Sequence, residues 1–194
     1  MQCLDIGTGT GLLSLMLAQN TCLVLDAVEL DSHAYEQAKQ NIQNSPWEGR
    51  ISIINIDILD YCPPEKYDLI ISNPPFFEDD LKSVDSKKNK ARHDTTLSLE
   101  KLLDVIDKLL IDTGEFGVLL PYHRIDYFIE EAGKKGLNLI EKVLIKQTPG
   151  HSYFRGILIF SREMEIPLLN EITIRESSGE YSEEFINLLK DYYL

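Results

Sequence analysis

No apolar run in this 194-residue chain approaches the roughly 20 residues that a membrane-spanning helix needs. The start does not read as a secretory signal either: there is no basic stretch, and Asp5 interrupts the first apolar segment. Cysteine is scarce, and Cys3, Cys22 and Cys62 are odd in number and lack C-x-x-C spacing. That pattern disfavours a disulfide framework or a zinc site and predicts reduced, mostly buried thiols in a cytoplasmic protein. His33, His93, His123 and His151 show no ligand spacing, so no metal is expected. Positive charge is in the minority, with 19 Lys and Arg against 32 Asp and Glu and a net charge of −13, which excludes a generally sticky nucleic-acid binder. No repeat, low-complexity tract or linker divides the chain. One domain is expected, long enough for a three-layer core.

What is present begins with glycine. Residues 1–6, MQCLDI, read as a buried strand; Gly7-Thr8-Gly9-Thr10-Gly11 follows at once, then an apolar helix from Leu12 to Gln19. Strand, glycine turn and helix make the first half of a nucleotide-binding unit, in which glycine lets a ligand approach the main chain closely. A dinucleotide fingerprint needs G-x-G-x-x-G/A, but the final place falls on Leu12 or Ser14. The observed spacing, G-x-G-x-G after an acidic strand residue, instead resembles the first motif of class I S-adenosylmethionine (SAM) methyltransferases. Glu29 ends the next strand, Leu23 to Val28, where a carboxylate can accept both hydroxyls of a ribose. Asp57 closes a third strand, Arg50 to Ile56, and is placed to meet an adenine edge. Each acid alone also suits a solvated strand end; the ordered series is the signal.

A second motif follows the strand Asp68 to Ser72: Asn73-Pro74-Pro75-Phe76. Strand ends of this kind are where open α/β sheets bind ligands. Pro75 holds Pro74 extended, and neither proline has an N–H, so the turn offers acceptors without competing donors. The Asn73 amide oxygen and the Pro74 carbonyl can together accept both hydrogens of one planar NH₂ group, while Phe76 supplies a stacking face. Those residue types suit alkylation of an exocyclic amine or an amide nitrogen, with Asn73 acting by positioning and charge stabilisation. The same four residues also suit a plain turn, as Pro63-Pro64 does elsewhere. Directly after the motif, Lys82, Lys87, Lys88, Lys90 and Arg92 crowd segment 78–98, read as a substrate-gripping loop rather than an ordinary solvated one.

The remaining pattern alternates. A helix over 31–44 carries Ala34, Ala38 and Ile42 on one face, and Trp47 beyond it is read first as a packing residue, with a place bordering the cofactor as the alternative. A helix over 99–111 has Ser98 as its N-cap. Strand Glu115–Leu120 precedes a helix from Arg124 to Lys135, and strands 137–147 and 153–161 form a hairpin around Thr148-Pro149-Gly150. A short strand, 171–175, and a helix, 183–193, close the chain. The fold class is α/β: a Rossmann-like, mostly parallel sheet of seven strands with an antiparallel C-terminal hairpin and helices on both faces.

Several stretches resemble the bacterial valine-tRNA adenine-N6 methyltransferase family: LDIGTGTGLL at 4–13, VELD at 28–31, NSPW at 44–47, DLIISNPPFF at 68–77, ARHDTTLS at 91–98, GEYS at 179–182 and LKDYYL at 189–194. The resemblance implies SAM as cofactor, held by Asp5, Gly7, Gly9 and Gly11, by Glu29 with Leu30, by Asp57 with Ile58, and by Asn73. It implies catalysis by Asn73, Pro74, Pro75 and Phe76, and tRNA as the partner, with Phe76, Phe77, Lys87, Lys88, Lys90 and Arg92 on the substrate side. Members of the family carry a segment ahead of the first strand that helps close both sites. Here Met1 stands four residues before Asp5, so the chain is expected to lack that segment and to bind SAM more weakly for it. Two alternatives stay open beside transfer to adenine N6: methylation of a protein glutamine side chain, and a SAM- or RNA-binding module without turnover.

Overall fold

Side chains of the first strand alternate between two different cores. On β1 (Gln2–Ile6), Cys3 enters one hydrophobic cluster while Leu4 and Ile6 enter another, as the period-2 geometry of a strand requires. The computed structural model describes residues 1–74 and 97–192. The other strands are β2 (Val24–Glu29), β3 (Ile51–Asn55), β4 (Tyr67–Ser72), β5 (Leu110–Pro121), β6 (Asn138–Lys146), β7 (Tyr153–Ser161) and β8 (Leu168–Thr173). The helices are α1 (Leu12–Asn20), α2 (Ser32–Gln43), α3 (Leu99–Leu109), α4 (Ile125–Lys134) and α5 (Glu183–Leu189). One sheet runs in the order β3-β2-β1-β4-β5-β7-β6-β8. Strands β1 to β5 are mutually parallel, and β7 is antiparallel to both β5 and β6.

The architecture is the expected α/β Rossmann-like one, but the sheet has eight strands rather than seven. β8 joins it parallel to β6, from Glu141 opposite Leu168 to Lys146 opposite Thr173. It is the short strand expected over 171–175, shifted to Leu168–Thr173; its first four residues are exposed, so no alternation marks where it starts or that it joins the sheet. The helix expected over 99–111 ends at Leu109, and the buried Leu110 already begins β5. Between Tyr67 and Leu69 the β4–β5 register jumps from Leu110 to Glu115. Gly114 permits that irregularity: a Cβ there would lie 2.7 Å from Leu110 Cδ1 and 3.0 Å from the Asp68 carbonyl oxygen.

Helix ends follow the sequence chemistry. The Asp31 carboxylate accepts the main-chain N–H groups of His33 and Ala34 and so caps α2, whose Ala38 and Ile42 are buried. Ser98 accepts the Lys101 N–H at the start of α3. The larger core, on the α3–α4 side, centres on Phe116, Phe128 and Phe160. Phe116 and Phe160 stack at 4.7 Å, and Phe128 meets both edge-on at 6.1 and 5.7 Å, which are favoured aromatic geometries. No helix among the described residues is long and apolar enough to cross a membrane.

Candidate active site

Strand register brings the carboxyl ends of four strands level. Ile6 pairs with Val28 on one side and Ser72 on the other, Glu29 pairs with Asn55, and Ser72 pairs with Val118. The glycine turn leaves this edge. Gly7 and Thr8 donate their N–H groups to the Val28 carbonyl at 2.9 and 3.1 Å, and the Gly11 N–H closes back on the Thr8 carbonyl at 3.0 Å. Gly7, Gly9 and Gly11 all have positive φ, at 71, 60 and 84°, where side chains are strained. They differ in surroundings. A Cβ at Gly7 or Gly9 would meet nothing within 4 Å, whereas one at Gly11 would meet Ala38 Cβ at 3.4 Å. The first two therefore open onto the edge of the sheet, and the third lets the turn lie against α2.

Glu29 ties the turn to the next strand. Its carboxylate accepts the Gly9 N–H at 2.8 Å and the Asp31 N–H at 2.8 Å. Asn55 braces the same loop, donating to the carbonyls of Glu29 and Leu30 at 2.8 and 3.1 Å. Below the turn, Asp5 is fully buried; its Oδ2 accepts the hydroxyls of Thr8 at 2.6 Å and Ser14 at 2.7 Å. Its Oδ1 is equally buried and has no hydrogen-bond partner among the described residues. Burial raises the Asp5 pKa, the Thr8 and Ser14 hydroxyls oppose the shift, and the Glu29 charge adds to it. A buried carboxylate oxygen left unpaired is costly, and native structures keep such groups for a reason.

The other expected residues differ in where they fall. Asn73 is exposed and follows β4 directly, with Pro74 buried behind it. Asp57 is half-buried two residues past β3 and uses Oδ1 to accept the Leu59 N–H at 2.9 Å. Leu30 is exposed, but the Ile58 side chain belongs to the larger core and lines a small cavity against α3. Any role for Ile58 at the edge falls to its main chain. Pro75, Phe76, Phe77, Lys87, Lys88, Lys90 and Arg92 lie outside the described residues.

Sequence reasoning missed Asn55, Thr8 and Ser14 as supports of Glu29 and Asp5. The motif spacing marks Asp5 but says nothing of hydroxyls three and nine residues on that fold back onto it. It also misjudged the thiols: Cys3 is buried, its pKa pushed up to about 12 by burial and then by Asp5 and Asp26, but Cys22 and Cys62 are exposed. Trp47 packs on the smaller core as expected. A separate polar cluster sits away from this edge, where Tyr67 and Tyr61 donate to Asp26 Oδ2 at 2.6 and 3.2 Å. It borders a cavity of about 210 Å³ that includes Gln2 and Val24, at the amino ends of β1 and β2.

Comparison with known proteins bears on the family and the fold. Residues 1–93 match the model of the methyltransferase small domain. The tRNA1(Val) (adenine(37)-N6)-methyltransferase of Proteus mirabilis is 40% identical over 199 residues, covering 98% of this chain and 79% of the relative. The Parabacteroides distasonis protein of that name is 40% identical over 194 residues, covering 98% and 82%. Among solved structures, a predicted O-methyltransferase from Agrobacterium tumefaciens superposes with a TM-score of 0.74 at 16% identity, over 98% of this chain and 88% of that one. A methyltransferase from Pyrococcus furiosus gives 0.61 at 23%, over 84% and 75%. These structural likenesses concern the fold.

Proposed function

The chain belongs to the tRNA1(Val) (adenine(37)-N6)-methyltransferase family, and we propose that it transfers a methyl group from SAM to the exocyclic N6 of adenine in tRNA, at the adenosine beside the anticodon of valine tRNA. The observation that carries this reading is one sheet edge holding the glycine turn, Glu29 and Asn73 together. Residues on both sides of that edge suit the two reactants.

The fit to the cofactor rests on two features. Gly7 and Gly9 face open space, so a ligand can lie against their main chain. Asp5 Oδ1, buried and unpaired, is an acceptor suited to the ammonium of an amino-acid moiety. Glu29 would take the ribose hydroxyls, exchanging its hydrogen bonds with Gly9 and Asp31 for them, and Asp57 stands one strand further along for the adenine edge. When bound, SAM supplies a methyl group activated on a sulfonium.

On the substrate side, the Asn73 amide oxygen and the Pro74 carbonyl would accept the two N6 hydrogens of the target base. That contact draws the nitrogen lone pair out of conjugation with the ring and aims it at the methyl carbon. Asn73 follows β4 without an intervening residue, so a rigid strand positions it. Pro75 and Phe76 complete the motif in this proposal, and Phe77, Lys87, Lys88, Lys90 and Arg92 would meet the RNA.

Incubation with methyl-tritiated SAM and either total tRNA from an unmodified strain or cell protein tests the reading. Label is expected in tRNA. Label in protein glutamine would replace the reading with the amide alternative, and label in neither would leave a binding module.

A further inference from the structure

Beyond Ser72, the strands on one side of Asn73 continue. Val118 of β5 is level with Ser72, and β5 runs on through Leu119, Leu120 and Pro121 before it ends. At the rise of an extended chain, that is a wall about 10 Å tall beside the candidate active site. β7 and β6 share it, since Pro121 pairs with Arg155, and Arg155 with Ile145.

The top of the wall is aromatic and basic. Tyr122 is 46% exposed, and its ring lies 5.5 Å from that of Tyr153. The Lys146 ammonium sits 4.6 Å from the Tyr153 ring centroid. Segments 121–125 and 145–155, which build this ledge, contain Arg124, Lys146 and Arg155 and no carboxylate, in a chain with 32 Asp and Glu. Glu171 reaches it from β8 and is taken up there, accepting from Tyr153 at 2.5 Å and pairing with Lys146 at 3.2 Å. Packing fixes the ledge in place. A Cβ on Gly156 would stand 2.5 Å from Ile125 Cδ1, so the missing side chain lets the buried first residue of α4 seat on β7, directly after Tyr122 and Arg124.

We infer that this ledge, centred on Tyr122 and Arg155, binds the RNA strand flanking the target adenosine, with a neighbouring base stacked on Tyr122 and the backbone phosphates on the basic side chains. A rigid ring pair beside cations is the chemistry by which proteins hold single-stranded nucleic acid, where bases are free to stack. Overall charge repels RNA, so contact is cheapest beside the reacting edge at a local patch whose own segments carry no carboxylate and where Glu171 is already held by Tyr153 and Lys146. The inference rests on the methyl-transfer reading above.

The test uses the full chain with SAM and an unmodified valine tRNA transcript, and follows the KM for each. Tyr122→Ala is expected to raise the KM for RNA about tenfold, the scale of one base–aromatic stack, and to leave the KM for SAM unchanged. Tyr122→Phe should restore the RNA value to within about twofold, because the ring and not the hydroxyl makes the contact. Arg155→Ala should lower the slope of log KM against log salt by about one at most. If wild type methylates tRNA and both alanine variants keep its RNA KM and salt slope, the ledge is overturned and the proposed function stands. Tyr122→Phe as impaired as Tyr122→Ala would also overturn it. A wild-type chain that methylates no RNA removes the functional reading and the ledge with it.

Discussion

Gly9 donates its main-chain N–H to the Glu29 carboxylate at 2.8 Å, joining two residues that lie 20 apart in the chain. The contact closes the glycine turn onto the end of β2.

Glu29→Ala removes the acceptor for the ribose together with two internal hydrogen bonds. Hydrogen bonds to a charged group contribute about 1.5–3 kcal/mol each, so SAM affinity is expected to fall at least about tenfold. Calorimetric titration of both proteins reads this directly. Equal affinities would take Glu29 out of the cofactor site.

Asp5→Asn separates folding from binding. Because burial raises the Asp5 pKa, the folded protein holds that proton more tightly than the unfolded chain does. The stability this contributes is fully present below the unfolded value, near pH 4, and is lost as pH rises through the folded value. Above the folded value wild type carries a buried charge, only partly relieved by the Thr8 and Ser14 hydroxyls, that Asp5→Asn lacks. The variant is expected to gain melting temperature relative to wild type as pH rises from 4 to 8, the gap closing toward pH 4, while its SAM affinity is lower. A variant without that gain would contradict the burial argument.

Asn73→Ala should leave SAM affinity within a few-fold, because Asn73 is one of several residues on the cofactor side, and lower turnover by roughly 10²–10³-fold or more, because its amide oxygen acts on the reacting amine. Single-turnover methyl transfer at saturating SAM and RNA measures it. Unchanged turnover would remove Asn73 from the mechanism.

Gly156→Ala inserts a methyl 2.5 Å from Ile125 Cδ1 in a fully packed region. Overpacking of this kind costs about 1–3 kcal/mol, so the urea midpoint should fall accordingly with an unchanged m-value. An unaltered midpoint would show that Ile125 can swing aside without cost.

Much of this was legible in the chain because its signals are local. The glycine turn, the acids at strand ends and the Asn73 turn each lie within a few residues of the strand that carries them, and the parallel sheet then brings Asp5, Glu29 and Asn73 to one edge. Caps are local too: Ser98 stands directly before the apolar helical spacing and caps its helix. What escaped depends on distant partners. Asn55 braces Glu29 across strands, and the ring contact between Tyr122 and Tyr153 exists only because β5 and β7 pair antiparallel. The strand expected over 171–175 is β8, but its start at Leu168 and its pairing into the sheet escaped because its exposed first residues give no periodicity; Leu110 escaped because it is buried whether helix or strand.

The most direct test is nucleoside mass spectrometry of an unmodified valine tRNA transcript incubated with SAM and the protein. The account predicts N6-methyladenosine at the adenosine beside the anticodon, and its absence with Asn73→Ala. A methyl group on another atom or another base, or the same product from Asn73→Ala, would contradict it.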